Sequence, residues 1–447
     1  MKSETPIWIG AAAAAATFGV LVGIGASGAA VVFIAILGGL LIAFVGGSMT
    51  TPADAGWLAK WVVIGFIAKL VGTASRFYMV TELYGLGDSF RYYQVGTDLA
   101  AQWRDGRIPD LTGSGSFGTQ VVEAVTGAIF AIVTPVMLGG FLLFAILAFL
   151  GQILLYAAFR RWAKPHQLKP YAILIFLLPT YAFWPSSIGK DALVILALGA
   201  SAYFVARSLE AFHVRWLFGL GVALAALGVI RIHIAGLIVA AFVLAALFSR
   251  VPSRADPTMA LRRLIVLGAG VAAVILVVGL FPDVFGVDIL STQDRDGFTE
   301  DVFRRTSGGT VGTGGVVNSP LDVPAALAHV LYKPFPFEAT ELQHFVAAGE
   351  TTLLILLTIW KLPPIIRNIR QWRSNAYVVF CTFYTLGFAV AFSVVRNLGI
   401  IARQRGQVLA FFLCFVIALG WEQKEAARPT PGITPLPEPA PPALPRR

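Results

Sequence analysis

Charge is what this sequence of 447 residues has least of: Asp, Glu, Lys and Arg make up 13% of it, about half the fraction of an ordinary soluble domain. With 57% hydrophobic residues and a mean hydropathy of +0.77, the chain carries more apolar surface than one water-soluble core can hide. Such cores stop growing near about 250–300 residues. The shortage excludes a soluble enzyme, a disordered protein and a fibrous repeat. Cysteine is scarcer still. Cys381 and Cys414 both sit inside apolar runs, which excludes a disulfide framework and a cysteine metal site. No internal repeat is visible. The glycine-rich Ser307-Gly-Gly-Thr-Val-Gly-Thr-Gly-Gly315 lacks the Gly-Lys-Ser/Thr ending of a phosphate-binding P-loop. Asp294-Arg-Asp-Gly297 has Phe303 where a calcium loop needs its closing Glu.

What the chain does have is apolar runs of membrane length, about 20 residues each. They predict an all-α, polytopic helix bundle of about twelve spans. The runs lie near Ile7–Gly25, Ala29–Val45, Trp57–Tyr78, Val136–Phe159, Tyr171–Ser187, Ile188–Ala206, Trp216–Ile232, Ile234–Phe248, Leu264–Phe281, Thr351–Pro364, Ala376–Val395 and Gly406–Trp421. The first reads as an uncleaved helix, although Ala26-Ser-Gly-Ala29 resembles a signal-peptide cleavage site. Residues 1–421 form the membrane domain on this reading, and the proline-rich 422–447 a disordered tail.

The net charge of +10 reads as loop lysine and arginine kept in the cytoplasm, not as a nucleic-acid surface. Three short connections hold Arg160, Arg161, Lys164 and Lys169; Arg250, Arg254, Arg262 and Arg263; and Lys361, Arg367, Arg370 and Arg373. All three share one side if twelve spans are right, which puts both termini in the cytoplasm and leaves outer loops at about 83–134 and 282–350. The expected location is the cell membrane.

Ionised residues at membrane depth cost energy, and those retained line cavities or polar paths. Lys69 and Arg76 are two turns apart on one helix face, and Asp88 follows in Gly87-Asp-Ser-Phe-Arg-Tyr-Tyr93. Lys190 and Asp191 open a helix, where the helix dipole favours the aspartate and opposes the lysine, so Lys190 calls for an anionic partner. Arg231-Ile-His233 occupies the mouth of a tight helical hairpin. Lys333-Pro-Phe-Pro-Phe-Glu338 is followed by Glu341 and His344, whose spacing is a weak metal signal. Arg396, Arg403 and Arg405 crowd one outer connection, against the positive-inside tendency. Each has a bland alternative: a structural ion pair for Lys69 or Arg76, ordinary helix-end chemistry around Lys190, snorkelling for Arg231.

Placed on the twelve-span topology, Asp88, Lys190, Asp191, Arg231, His233, Lys333, Glu338, Arg403 and Arg405 all fall on one side. A mainly basic group with a few carboxylates and a histidine suits a lipid-linked phosphate, because arginine forks match phosphate oxygens. The cations stabilise a leaving phosphate, and Asp88 or His233 can accept a proton. Lys190, Asp191, Arg231, Lys333, Glu338, Arg403, Arg405 and Arg76 are the expected substrate-binding residues. No metal or soluble cofactor is implied.

The segments Gly87–Tyr93, Trp184-Pro-Ser-Ser-Ile-Gly-Lys-Asp191, Lys333–Glu338 and Asn397-Leu-Gly-Ile-Ile-Ala-Arg-Gln-Arg405 resemble those of polytopic bacterial envelope-polysaccharide polymerases and GT-C-like membrane glycosyltransferases. The resemblance implies glycosyl transfer or polymerisation from a polyprenyl-phosphate-linked sugar, beside other envelope-assembly proteins. Asp88 corresponds to the acidic base those enzymes place in the first outer loop, but stands singly, beside Ser89. Two rivals belong to other classes: a transporter or flippase of a lipid-linked sugar or another anion, and a non-catalytic scaffold of an envelope-assembly complex.

Overall fold

The computed structural model of the protein describes residues 28–54, 56–84, 87–108, 116–211, 213–250, 268, 315 and 317–422. The first expected span, the span near Leu264–Phe281 apart from Gly268, the glycine-rich stretch apart from Gly315, and the proline-rich tail beyond Glu422 lie outside them. Among the described residues every regular element is a helix.

In chain order the helices are α1 (Gly28–Met49), α2 (Leu58–Tyr78, prolonged by a π-helical turn Met79–Tyr84), α3 (Asp88–Arg104), α4 (Phe117–Ile132), α5 (Met137–Arg160), α6 (Pro165–Leu177), α7 (Pro179–Phe183) and α8 (Lys190–Glu210). Then come α9 (Val214–Phe248), α10 (Val323–Tyr332), α11 (Leu342–Asn368), α12 (Ala376–Phe392), α13 (Leu398–Gln404) and α14 (Gly406–Gly420). Helix α5 is apolar all round, as a helix buried by neighbours must be. It packs against α1, α2, α6 and α8. Its contact with α8 is backbone to backbone: a Cβ on Gly151 would lie 2.3 Å from the Ile195 carbonyl oxygen, and one on Gly199 2.2 Å from that of Gly151. Small residues permit such approach between membrane helices.

Among the described residues five helices are long and apolar enough to cross a membrane: Leu58–Leu83, Met137–Arg160, Lys190–Glu210, Val214–Phe248 and Leu342–Ser374. The pair α13 and α14, bent by 58°, makes a sixth. The described residues therefore show five or six such spans where about twelve are expected over the whole sequence, and two of the expected twelve lie outside them. The run near Tyr171–Ser187 is broken at Leu178, which is extended and precedes Pro179, so α6 and α7 are each short. The expected outer loop 83–134 is instead largely the two helices α3 and α4, packed on each other.

Helix α9 is a special case, because it doubles back. Arg231 in its middle is extended (φ −148°, ψ 84°). A Cβ on Gly228 would lie 3.8 Å from that of Ala235, whereas seven residues of straight helix separate their ends by about 10 Å. One arm runs back along α8, bringing Trp216 under Arg207 at 4.2 Å. The other runs along α12, where Phe248 meets Phe383 at 5.4 Å. Both open ends of the hairpin thus lie at one end of the bundle and Arg231 at the other.

The end away from Arg231 is held by polar and aromatic contacts. Asp54 accepts hydrogen bonds from Tyr156 (2.9 Å) and Arg160 (3.0 Å). Trp162 donates to the Ala206 carbonyl, and Asn375 to that of Trp162. The Lys361 ammonium sits 3.6 and 3.7 Å from the Trp360 and Trp421 ring centres. Tryptophan and lysine in this arrangement are compatible with a membrane–water boundary.

Candidate functional site

Asp191 is the centre of the opposite end. It lies in the first turn of α8, where the helix dipole favours a carboxylate. Its Oδ1 accepts from Arg231 Nη2 at 3.1 Å, and its Oδ2 from Arg403 Nε. Each arginine arrives by a local device. Arg231 is delivered by the extended residue at the tip of the α9 hairpin. Arg403 comes from the seven-residue α13, capped by Asn397, whose side chain accepts from the Ile400 amide at 2.9 Å. The Gln404 side-chain oxygen accepts from Arg231 and from Gln407.

Lys190 stands beside this triad and donates to Ser116 Oγ at 3.3 Å. Among the described residues no carboxylate pairs directly with Lys190; Asp88 and Asp191 act on it only at longer range. Asp88 is exposed at the first turn of α3 and is also felt by Arg403. Arg76 lies over the Phe183 and Trp184 rings at 5.4 and 5.3 Å and acts on Asp191. Tyr92, on α3, senses Asp88 and Arg403; burial first, then the Asp88 charge, pushes its phenol up and keeps it a hydrogen-bond donor. Among the described residues Lys190, Arg231, Arg403 and Arg76 thus gather about Asp191 and Asp88, and the cluster is partly open: the Arg403 side chain is 30% exposed, those of Asp191 and Arg231 about a tenth.

The remaining expected site residues form separate groups. Arg405, at the bend between α13 and α14, is fully buried. Its Nη2 contacts Glu350 Oε1 at 3.1 Å, and its Nη1 donates to the Lys333 carbonyl at 3.0 Å. Glu350 also accepts from the Thr180 amide (2.5 Å) and hydroxyl (2.6 Å). Lys333 pairs with Glu338 at 2.7 Å. His233 lies just past the hairpin tip, its ring 5.7 Å from that of Phe392. Lys69 is buried and donates to the Tyr181 carbonyl at 2.7 Å. His344 is buried. No group of three or more metal-ligating side chains occurs among the described residues.

No protein-family model matches this chain. Nor does any curated protein or solved structure match it. The site is therefore read from its own chemistry.

Sequence reasoning missed Glu350, Thr180, Ser116, Gln404, Gln407 and Tyr92. Glu350 carried a usable signal, a lone carboxylate in an apolar helix, of the kind that drew attention to Lys69. The others are neutral, and only the packing of α3, α4, α7, α13 and α14 reveals them.

Arginines held ready by a carboxylate offer two things to an anion. Their geometry is already set, which removes ordering cost at binding. Their forks suit oxygens arranged as in a phosphate. Beside this polar cluster a groove of about 390 Å³ runs between α2, α7 and α11, lined by Val71, Gly72, Phe183, Trp184, Leu342 and Val346. Trp184 and Thr180 border both the groove and the space next to Asp191 and Arg403.

Proposed function

We propose that this is an integral protein of the cell membrane that transfers or polymerises glycosyl units from a polyprenyl-phosphate-linked donor at the outer face. The observation that carries this reading is the gathering of Lys190, Arg231, Arg403 and Arg76 around Asp191 at one end of a bundle of membrane-length helices. In the proposed reaction an acceptor sugar hydroxyl attacks the anomeric carbon of the donor. The bond from that carbon to the phosphate oxygen breaks, and its electron pair leaves with the lipid phosphate. The hydroxyl proton passes to the Asp88 carboxylate. Arg403, Arg231 and Lys190 offset the charge that grows on the departing phosphate.

His233 serves this scheme less well than Asp88, because its ring packs against Phe392. A carrier reading draws on Lys69 and the Arg405–Glu350 pair, which lie within the helices at some depth. Both are engaged in closed contacts, so they favour a fixed scaffold over alternating access.

The test is transfer by the purified full chain in nanodiscs, supplied with a polyprenyl-pyrophosphate-linked oligosaccharide. Asp88→Ala is expected to abolish product while leaving the melting temperature unchanged, because Asp88 is exposed. Full activity in that variant would remove Asp88 from the mechanism, and no product from the unaltered chain would defeat the enzymatic reading.

A further inference from the structure

Asp191 occupies the place that the proposed function gives to a phosphate. Its two oxygens each take one guanidinium, Arg231 at 3.1 Å and Arg403 through Nε. A phosphate oxygen pair presents the same two acceptors to the same donors. With its side chain only 11% exposed, the carboxylate is held among these cations and not in bulk water, so it neutralises them effectively.

From this arrangement we infer that Asp191 is a built-in counter-ion: it holds Arg231 and Arg403 in place in the ligand-free protein and competes with the incoming phosphate for them. The inference rests on the anion-binding reading above and adds what sets the affinity of that site. Two features support competition over a purely structural pair. The first is stoichiometry, since one carboxylate serves two guanidiniums, with Lys190 beside them. The second is that Arg403 engages Asp191 through Nε, so its paired Nη groups are not spent on that bond and its side chain is 30% exposed. A phosphate can therefore enter on the open side of Arg403 and draw it from Asp191. After transfer, the returning carboxylate helps release the lipid phosphate product, which a site of bare cations would retain.

The two roles make opposite demands on one substitution. If Asp191 competes, Asp191→Asn removes the competitor and tightens anion binding. If it only positions the arginines, the same change loosens binding, because the forks lose their alignment.

The experiment is titration of inorganic pyrophosphate into the full chain in nanodiscs of zwitterionic lipid, read by calorimetry and by the rise in melting temperature. Asp191→Asn is expected to bind pyrophosphate at least tenfold more tightly than the unaltered chain, with a larger ligand-induced rise in melting temperature. Gln404→Glu, which keeps Asp191 and adds a second carboxylate against Arg231, is expected to bind at least tenfold more weakly; it carries the test should Asp191→Asn fail to fold. Unchanged or weaker binding by Asp191→Asn, or unchanged binding by Gln404→Glu, overturns the counter-ion role while leaving the anion site standing. Absence of pyrophosphate binding by the unaltered chain overturns both.

Discussion

Two arginines separated by one residue, Arg403 and Arg405, end in opposite environments. Arg405 is fully buried against Glu350, with Thr180 and the Lys333 carbonyl completing the set. One cation meets one carboxylate, and both Glu350 oxygens accept hydrogen bonds. Arg403 shares the single carboxylate of Asp191 with Arg231 and stays partly open. A buried pair with its charge balanced joins helices; a partly open group with cations in excess has capacity left for a ligand. Two residues apart on a helix, side chains point about 200° apart, and Arg405 itself stands at the 58° bend between α13 and α14.

The sharpest way to break this comparison is to unbalance the closed pair. Glu350→Ala leaves Arg405 buried without its carboxylate, for which a loss of about 3–5 kcal/mol is typical. The expected outcome is a large fall in melting temperature or failure to accumulate folded protein, with Glu350→Gln milder because its one remaining oxygen can still accept from the Thr180 amide. A Glu350→Ala protein as stable as the unaltered chain would mean that the pair is not a structural joint. At the small end stands Arg367, whose pair with Glu422 is exposed at the far end of the bundle. Exposed pairs contribute about 0–1 kcal/mol, so Arg367→Ala should leave the melting temperature nearly unchanged and anion binding unaltered. A marked loss of binding there would show that the positive charge acts as a diffuse field and not as a built site.

Much of this was legible in the sequence, and the physical reasons for the rest are specific. Apolar length marks membrane helices, because the bilayer demands about 20 residues per span. It does not report breaks, and Pro179 divides one expected span into α6 and α7. The polar composition of 83–134 was compatible with a loop; what makes α3 and α4 helical is their packing on each other and that of α4 on α9. Expense of charge in an apolar setting pointed to Asp191, Arg231 and Arg403, which do meet. It could not say that Arg405 turns away from them, since its partners Thr180 and Glu350 are remote in the chain. Pairing at such separation is a property of the packed helices alone. Glu350 shows the reverse lesson: its cost was visible, but its role depended on a partner that no local pattern names.

The central claim is that the open cluster, and not the closed one, takes a phosphate. Its most direct test is binding of inorganic pyrophosphate to the full chain in nanodiscs, comparing Arg403→Ala with the unaltered protein. The account expects saturable binding by the unaltered chain and at least a tenfold loss in Arg403→Ala, with the melting temperature of the ligand-free protein little changed. Equal binding by both, or none by either, would contradict it.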